Sequence, residues 1–485
     1  MKEKIQQWLA EHREQMIRDI FDLVRVNSEK MPAQEGMPYG EGPAQALALA
    51  LSKAEAYGFS VQNHENYVGS IDLMDAPRGL DILAHLDVVP ATPGFTVTKP
   101  FEPVEKDGKL YGRGTADDKG PAVAALYAMR ALKELGVSLT KNVRLILGCD
   151  EECGSSDIEY YYKKEAAAPC TFSPDSCFPV VNVEKGHLVA AFVCKTDSGT
   201  DRDADVSTEE NSTAPCIVWA HSGMKFNVIP DTAQMQVQNV SRETLAAAAK
   251  QLVREIPVQI TMETLQGGLR VIVKGKSAHA STPELGVNAL TAMLRLLQGV
   301  KAAFAEAADP ATKALLALSN VLVYADHAGR SLRVDRDHEV TGPTTVSPDM
   351  LDLAGGSLRL TIDSRMALGS TRENTVGTLT EIAETCGCTV DVERFSETHY
   401  VPGDSPFVKT LIGCYEDVYG RSGSKPLAIG GGTYVHEVEN GVAFGCVEDE
   451  DETNLHGDDE HIAVEDLLKG SATFALAIYA ICGGE

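Results

Sequence analysis

Between residues 69 and 149 the sequence alternates apolar runs with one long loop and one helix-like segment, and few folds accommodate that order. Apolar runs at 69–74 and 80–89 read as strands. A loop over 90–120, rich in Gly, Pro and Asp, follows, and residues 121–135 then read as a buried helix of Ala and Leu. Residues 143–149 form a short β-branched and Leu run that ends in an acidic turn. The strand–loop–helix–strand order predicts an α/β sheet with helices on its faces. Ligands in such sheets gather beyond the carboxyl ends of the strands, so the residues that end each run are where chemistry is expected.

The rest of the chain divides around this frame. Residues 1–29 alternate apolar and charged positions at helical spacing, with Trp8, Leu9, Met16, Ile17, Ile20, Phe21, Leu23 and Val24 on one face. The composition shifts at Glu184-Lys185-Gly186, and a polar acidic stretch at 195–212 reads as a surface loop or hairpin. Beyond it lie strand candidates at 269–274 and 357–364 and helix candidates at 287–305 and 374–385. The last hundred residues or so return to an α/β pattern and end in a helix near 464–481. The expectation is a split catalytic α/β domain, a mixed sheet flanked by helices, over 1–186 and 385–485, with an α+β domain inserted at 187–384. A chain of 485 residues is long enough for two or three cores.

Charge narrows the partners. A net charge of −27 and a pI near 4.8 repel phosphate backbones and anionic membranes, so neither a nucleic acid nor a membrane surface is expected as a partner. No apolar run reaches the ~20 residues that span a bilayer, and the N-terminus lacks the apolar region of a signal peptide. Eleven cysteines, scattered and odd in number, read as reduced thiols of a cytoplasmic protein.

Five short segments carry candidate chemistry. His85 ends an apolar run and Asp87 follows on the same face, where a carboxylate can orient a metal-binding imidazole. Taken alone, the pair is better explained as a partly buried histidine with a solvated acid. The loop Tyr111-Gly112-Arg113-Gly114-Thr115-Ala116-Asp117-Asp118-Lys119-Gly120 fits neither the P-loop nor the dinucleotide pattern. Asp117 or Asp118 suits a helix N-cap there, or a carboxylate bridging two metal ions. Asp150, Glu151 and Glu152 sit together at a strand end, where mutual repulsion resists burial unless a cation is near. One of them would then bind metal and its neighbour act as a base. Asp175 ends a further apolar segment, and His456 lies in Asn454-Leu455-His456-Gly457-Asp458-Asp459-Glu460. Each of the last two alone is explained by a loop turn. Together, His85, Asp117, Glu152, Asp175 and His456 form a mixed imidazole and carboxylate set without thiolate, which suits Zn²⁺, Mn²⁺ or Co²⁺ at a catalytic site rather than a structural zinc.

These motifs, in this order and over nearly the whole chain, resemble the metallopeptidase family of carboxypeptidase G, succinyl-diaminopimelate desuccinylase, aminoacylase and peptidase V. The stretches LYGRGTADDKGP at 110–121, TFSPDSCFPVVN at 171–182 and GKSAHASTPELGVNA at 275–289 are most similar to the peptidase V-type dipeptidases. The resemblance implies that His85, Asp117 and Asp175 hold one metal ion and Asp117, Glu152 and His456 the other, with Zn²⁺ expected and Mn²⁺ or Co²⁺ as alternatives. It makes Glu151 the general base and Asp87 the residue that orients His85. It assigns His279, from the inserted domain acting as a lid, to the oxyanion, with Asn227 assisting. Arg365 would bind the substrate's terminal carboxylate, with the backbone N–H groups of Gly430, Gly431 and Gly432 beside it. His436 and His461 stand as weaker competitors for the His456 role. The implied activity is hydrolysis of dipeptides or similar small amides with a free C-terminus. Peptidase V-type insertions have two similar lobes, so a monomer would supply His279 itself. An N-acyl amino acid deacylase or carboxypeptidase of the same family would use identical metal chemistry. A catalytically silent metal-binding scaffold is the rival from outside enzymes, and an intact Glu151 argues against it.

Overall fold

The apolar run expected over residues 80–89 forms the strand Arg78–His85, buried in all but its first residue. It pairs in parallel with Asn142–Gly148 on one side and Thr171–Ser173 on the other. Burial on both faces is what parallel strands covered by helices require, and it explains a sequence apolar between its ends but for Asp81, whose carboxylate is met by Arg78 and by the Ala168 N–H at 2.9 Å. The computed structural model describes residues 1–195, 213–448 and 452–484. The acidic stretch expected as a loop at 195–212 lies, apart from its first residue, outside the described residues. Among them the strands Ser60–His64, Val68–Asp72, Asn142–Gly148, Arg78–His85, Thr171–Ser173, Gly441–Ala443, Val181–Glu184 and His399–Tyr400 neighbour one another in that order, and Leu427–Ile429 pairs with Val181–Glu184. The sheet is mixed: parallel at its centre and antiparallel at the edges.

Helices cover this sheet. Lys119–Glu134 is buried from Lys119 through Leu132, because alanines at 122, 124, 125, 128 and 131 let neighbours approach its axis closely. The Ser471 hydroxyl of the last helix, Val464–Cys482, donates to the Ala124 carbonyl at 2.9 Å. The single amphipathic segment expected at the N-terminus is two helices, Lys2–Glu11 and Arg13–Val24. They break at His12, whose ring stacks on Trp8 with centroids 3.8 Å apart. Both helices bury their apolar face in the same core as the sheet.

The described chain divides into two compact units, Met1–Glu184 with His399–Glu485, and Lys185–Thr398. In the second unit, eight strands among the described residues form an antiparallel sheet. The helices Arg242–Glu255, Ala289–Gly299, Pro310–Leu318 and Arg372–Thr385 share one apolar core with it. The sequence places the second division at 384/385, whereas the contacts place it at Thr398/His399. The reason is pairing: Thr389–Ser396 is an edge strand hydrogen-bonded to Gly186–Cys194, so the residues after the helix Arg372–Thr385 complete the second sheet before the chain returns. Among the described residues no helix is long and apolar enough to cross a membrane.

Candidate metal centre

Three parallel strands deliver their carboxyl ends to one edge of the first unit. His85 is the last residue of its strand and pairs in register with Gly148, so the acidic turn Asp150-Glu151-Glu152 emerges beside it. On the other side the strand Thr171–Ser173 ends two residues before Asp175. Asp117 comes from the loop between the strand Lys109–Tyr111 and the helix Lys119–Glu134, and His456 from a loop near the C-terminus. These five residues form two triads with donor atoms close enough to hold an ion each: His85, Asp117 and Asp175, and Asp117, Glu152 and His456. The Asp117 carboxylate is divided between them. Its Oδ1 lies 2.9 Å from His85 Nε2 and its Oδ2 2.9 Å from His456 Nε2. Asp175 Oδ2 is 3.5 Å from His85 Nε2, and Glu152 Oε1 is 3.3 Å from His456 Nε2.

The surrounding hydrogen bonds refine the expected role of Asp87. His85 Nδ1 meets the backbone carbonyl of Asp87 at 3.0 Å and its carboxylate only at 3.5 Å, so the main chain sets the ring's tautomer and turns Nε2 toward Asp117. The Asp87 carboxylate instead accepts from the backbone N–H of Glu151 at 3.2 Å and of Glu152 at 3.1 Å. It holds the turn that presents both acids. Asp118 occupies the N-cap position of the helix Lys119–Glu134 but caps nothing with its side chain; Oδ2 accepts from the His85 backbone N–H at 3.1 Å. Asp157 braces the same turn. It accepts from the N–H of Cys149 and of Asp150, and from the hydroxyl of Tyr434, whose ring stands edge-on to His85. Asp118 stood beside Asp117 as a candidate cap or bridging carboxylate, whereas nothing in the sequence spacing of Asp157 and Tyr434 links them to His85.

The electrostatics of the cluster follow from its crowded acids. Burial pushes the Glu151 carboxyl well above its ordinary range, and the nearby acids Asp175, Glu152 and Asp117 add to it. Burial and Asp117 push Glu152 up to about 7. Burial opposes charge on His85, yet Asp175, Asp117 and Asp87 outweigh it and hold its pKa well above the usual value. The Asp117 and Glu152 carboxylates beside its Nε2 raise His456 to about 11. Asp117, between the two imidazoles, is pushed the other way, and the crowding of the remaining acids is what a bound cation would offset. Glu152 Oε1 is also buried without a hydrogen bond. A donor set of two imidazoles and three carboxylates with no thiolate fits two divalent ions.

The second unit holds Asn227, His279 and Arg365. Asn227 and His279 are brought together there: Val228 and His279 form an antiparallel bridge, with Ala280 N–H donating to the Asn227 carbonyl at 3.0 Å. Ser281 N–H donates to His279 Nδ1 at 3.2 Å, which leaves the proton of the neutral ring on Nε2. In the strand Ser357–Met366, Leu358, Leu360 and Ile362 face the core, so the period of two turns Asp363 and Arg365 to the opposite face. Arg365 is buried, and Asp363 engages its Nε at 2.9 Å and Nη2 at 3.3 Å. His187 Nε2 lies 2.6 Å from the same carboxylate. Gly430, Gly431 and Gly432 belong to the first unit and follow the strand Leu427–Ile429. The competitors for the His456 role are engaged elsewhere. His461 meets Lys109 Nζ and the Asp459 carbonyl, and His436 Nδ1 meets Glu184 at 3.3 Å.

The chain is similar to known proteins over nearly its whole length. The chain is 31% identical over 480 residues to YtjP of Bacillus subtilis, covering 97% of each. It is 30% identical over 476 residues to the Beta-Ala-Xaa dipeptidase of Lactobacillus delbrueckii subsp. lactis, covering 97% of this chain and 96% of that one. Its fold is similar to that of human carnosine dipeptidase 1, with a TM-score of 0.58, 17% identity, and 99% and 98% of the two chains covered. The sequence profile of peptidase family M20/M25/M40 matches residues 82–480, from the strand that ends in His85 to the last helix, and the chain belongs to that family as a hydrolase of the metallopeptidase type.

Proposed function

We propose that the chain is a dinuclear metal-dependent dipeptidase, acting in the cytoplasm on small peptides with a free C-terminus. The observation that carries this reading is the division of the Asp117 carboxylate between two ligand triads. The 30% identical relative named a Beta-Ala-Xaa dipeptidase supports the size of the substrate. Eleven scattered cysteines, odd in number, suit a reducing compartment.

His85, Asp117 and Asp175 would hold one ion and Asp117, Glu152 and His456 the other, Zn²⁺ foremost and Mn²⁺ or Co²⁺ as alternatives. Bound there, divalent ions would supply Lewis acidity toward the scissile carbonyl and make water nucleophilic near neutral pH. Glu151, its backbone held by Asp87, accepts the proton of the attacking water and passes it to the leaving amine. His279, neutral with its proton on Nε2, donates to the developing oxyanion, and Asn227 assists. Arg365, its fork oriented by Asp363, reads the substrate's terminal carboxylate, and the amides of Gly430, Gly431 and Gly432 offer further donors. His279→Ala is expected to lower kcat by roughly 10²–10³-fold, the cost of one oxyanion donor, with metal content unchanged. A loss of metal in that variant would remove His279 from this role.

The substrate assignment is tested with two substrates and two proteins. For the wild type, a free dipeptide should be cleaved far better than its amide or its N-acetyl derivative. Arg365→Ala should lose on the order of 2–5 kcal/mol in kcat/KM for the free acid, because a charge-assisted pair is removed. It should lose little for the amide. The truncation also leaves the buried Asp363 without its arginine, so a lower melting temperature is expected. The ratio of the two substrates on the same folded protein cancels that effect. A double ratio near one would overturn the carboxylate-reading role, and strong cleavage of N-acetyl dipeptides would turn the assignment toward a deacylase.

A further inference from the structure

One buried ion pair joins the loop that carries Asp117 to the loop that carries His456. Glu460 is fully buried, and its carboxylate accepts from the backbone N–H of Gly114 at 3.0 Å, Ala116 at 2.9 Å and Asp117 at 3.2 Å. Arg113 Nη1 donates to the same carboxylate at 2.6 Å. The other arm of the guanidinium, Nη2, donates to the carbonyls of His456 at 3.2 Å and Gly457 at 3.1 Å. A carboxylate this deep is costly unless its lone pairs are filled, and here four donors fill them. The fork of an arginine is what lets one side chain hold the acid and the opposite backbone together.

The two ligand triads are not built alike. His85 is fully buried at the end of a central strand, and Asp175 follows the neighbouring parallel strand. His456 is on an irregular loop, its side chain 56% exposed. Asn454, His456 and Asp459 have φ of 54°, 59° and 54°, a region that non-glycine residues enter at a cost. In the first triad His85 and Asp175 are held by the sheet and only the shared Asp117 comes from a loop, whereas in the second His456 also lies on a loop, the one that Arg113 and Glu460 tie down.

We propose that the Arg113–Glu460 pair is a positioning device for the second triad, so that the two metal sites load in order: His85, Asp117 and Asp175 first, then Asp117, Glu152 and His456. This rests on the dinuclear reading above. Glu460→Gln is the sharpest variant, since an amide NH₂ would then face backbone donors and a guanidinium. Arg113→Lys keeps the charge and loses the fork.

The test is a titration of chelator-stripped full-length protein with Zn²⁺, read as heat and as bound metal per chain, for the wild type, both variants, His456→Ala and His85→Ala. The wild type should bind two ions with separable affinities. Glu460→Gln and Arg113→Lys should keep the tighter site within about threefold and weaken the second by about 10–100-fold, the usual cost of losing a ligand's support. They should resemble His456→Ala and differ from His85→Ala. A proportional fall at both sites, or no change at either, would overturn the proposal, because a brace of general structural value moves both together. Failure of either variant to fold, beside a folded His456→Ala, would likewise assign the pair to stability and overturn it. A wild type that binds fewer than two ions would instead overturn the dinuclear reading itself.

Discussion

Glu151→Gln is expected to retain its metal and to lose at least about 10²–10⁴-fold in kcat. The substitution keeps the size of the side chain and the backbone N–H that donates to Asp87, so the turn that presents residues 151 and 152 stays in place. What it removes is the oxygen that accepts a proton. The neighbouring Glu152→Gln should behave in the opposite sense. Its Oε1 is buried, lies 3.3 Å from His456 Nε2, and belongs to a ligand triad, so the neutral amide should weaken metal binding first. Turnover measured beside metal content by elemental analysis separates the two. If Glu151→Gln loses metal and Glu152→Gln keeps it, the roles of base and ligand are exchanged.

Removal of metal is expected to abolish activity altogether, with recovery on adding Zn²⁺, Mn²⁺ or Co²⁺. The stripped protein should remain folded. Its large core is built from the helices Lys2–Glu11, Lys119–Glu134 and Val464–Cys482 against the sheet, and the ligands occupy only the ends of the strands. It should nonetheless melt at a lower temperature than the loaded form. The acids that burial and mutual repulsion push up, Glu151 and Glu152 among them, lose the cations that offset their crowding. Circular dichroism beside a dipeptide assay reads both effects. Undiminished turnover in verified metal-free protein would end the metal-hydrolase reading.

Local pattern made the frame of the first unit readable. The strand Arg78–His85, the helix Lys119–Glu134 and the strand Asn142–Gly148 follow from apolar runs of the right length bounded by Gly, Pro and acids, because short-range propensity and burial agree there. The division of the N-terminal segment at His12 was not readable, since the helical spacing of its apolar residues continues through the break. The second domain boundary was missed for a related reason. A strand such as Thr389–Ser396 belongs to whichever sheet supplies its partner, and its partner Gly186–Cys194 lies two hundred residues away.

The candidate site divides along the same line. Residue type and position at strand ends or in loops marked His85, Asp117, Glu152, Asp175 and His456 together as candidates, because donor chemistry is a property of the side chain itself. How the Asp117 oxygens are shared, which part of Asp87 holds the imidazole, why Asp118 faces the His85 amide, and how Arg113 and Glu460 join two loops were decided only by the tertiary structure. Each of these depends on distances of about 3 Å between groups far apart in the chain. Sequence sets which donors and acceptors exist; the packing of the strands and loops sets which of them meet.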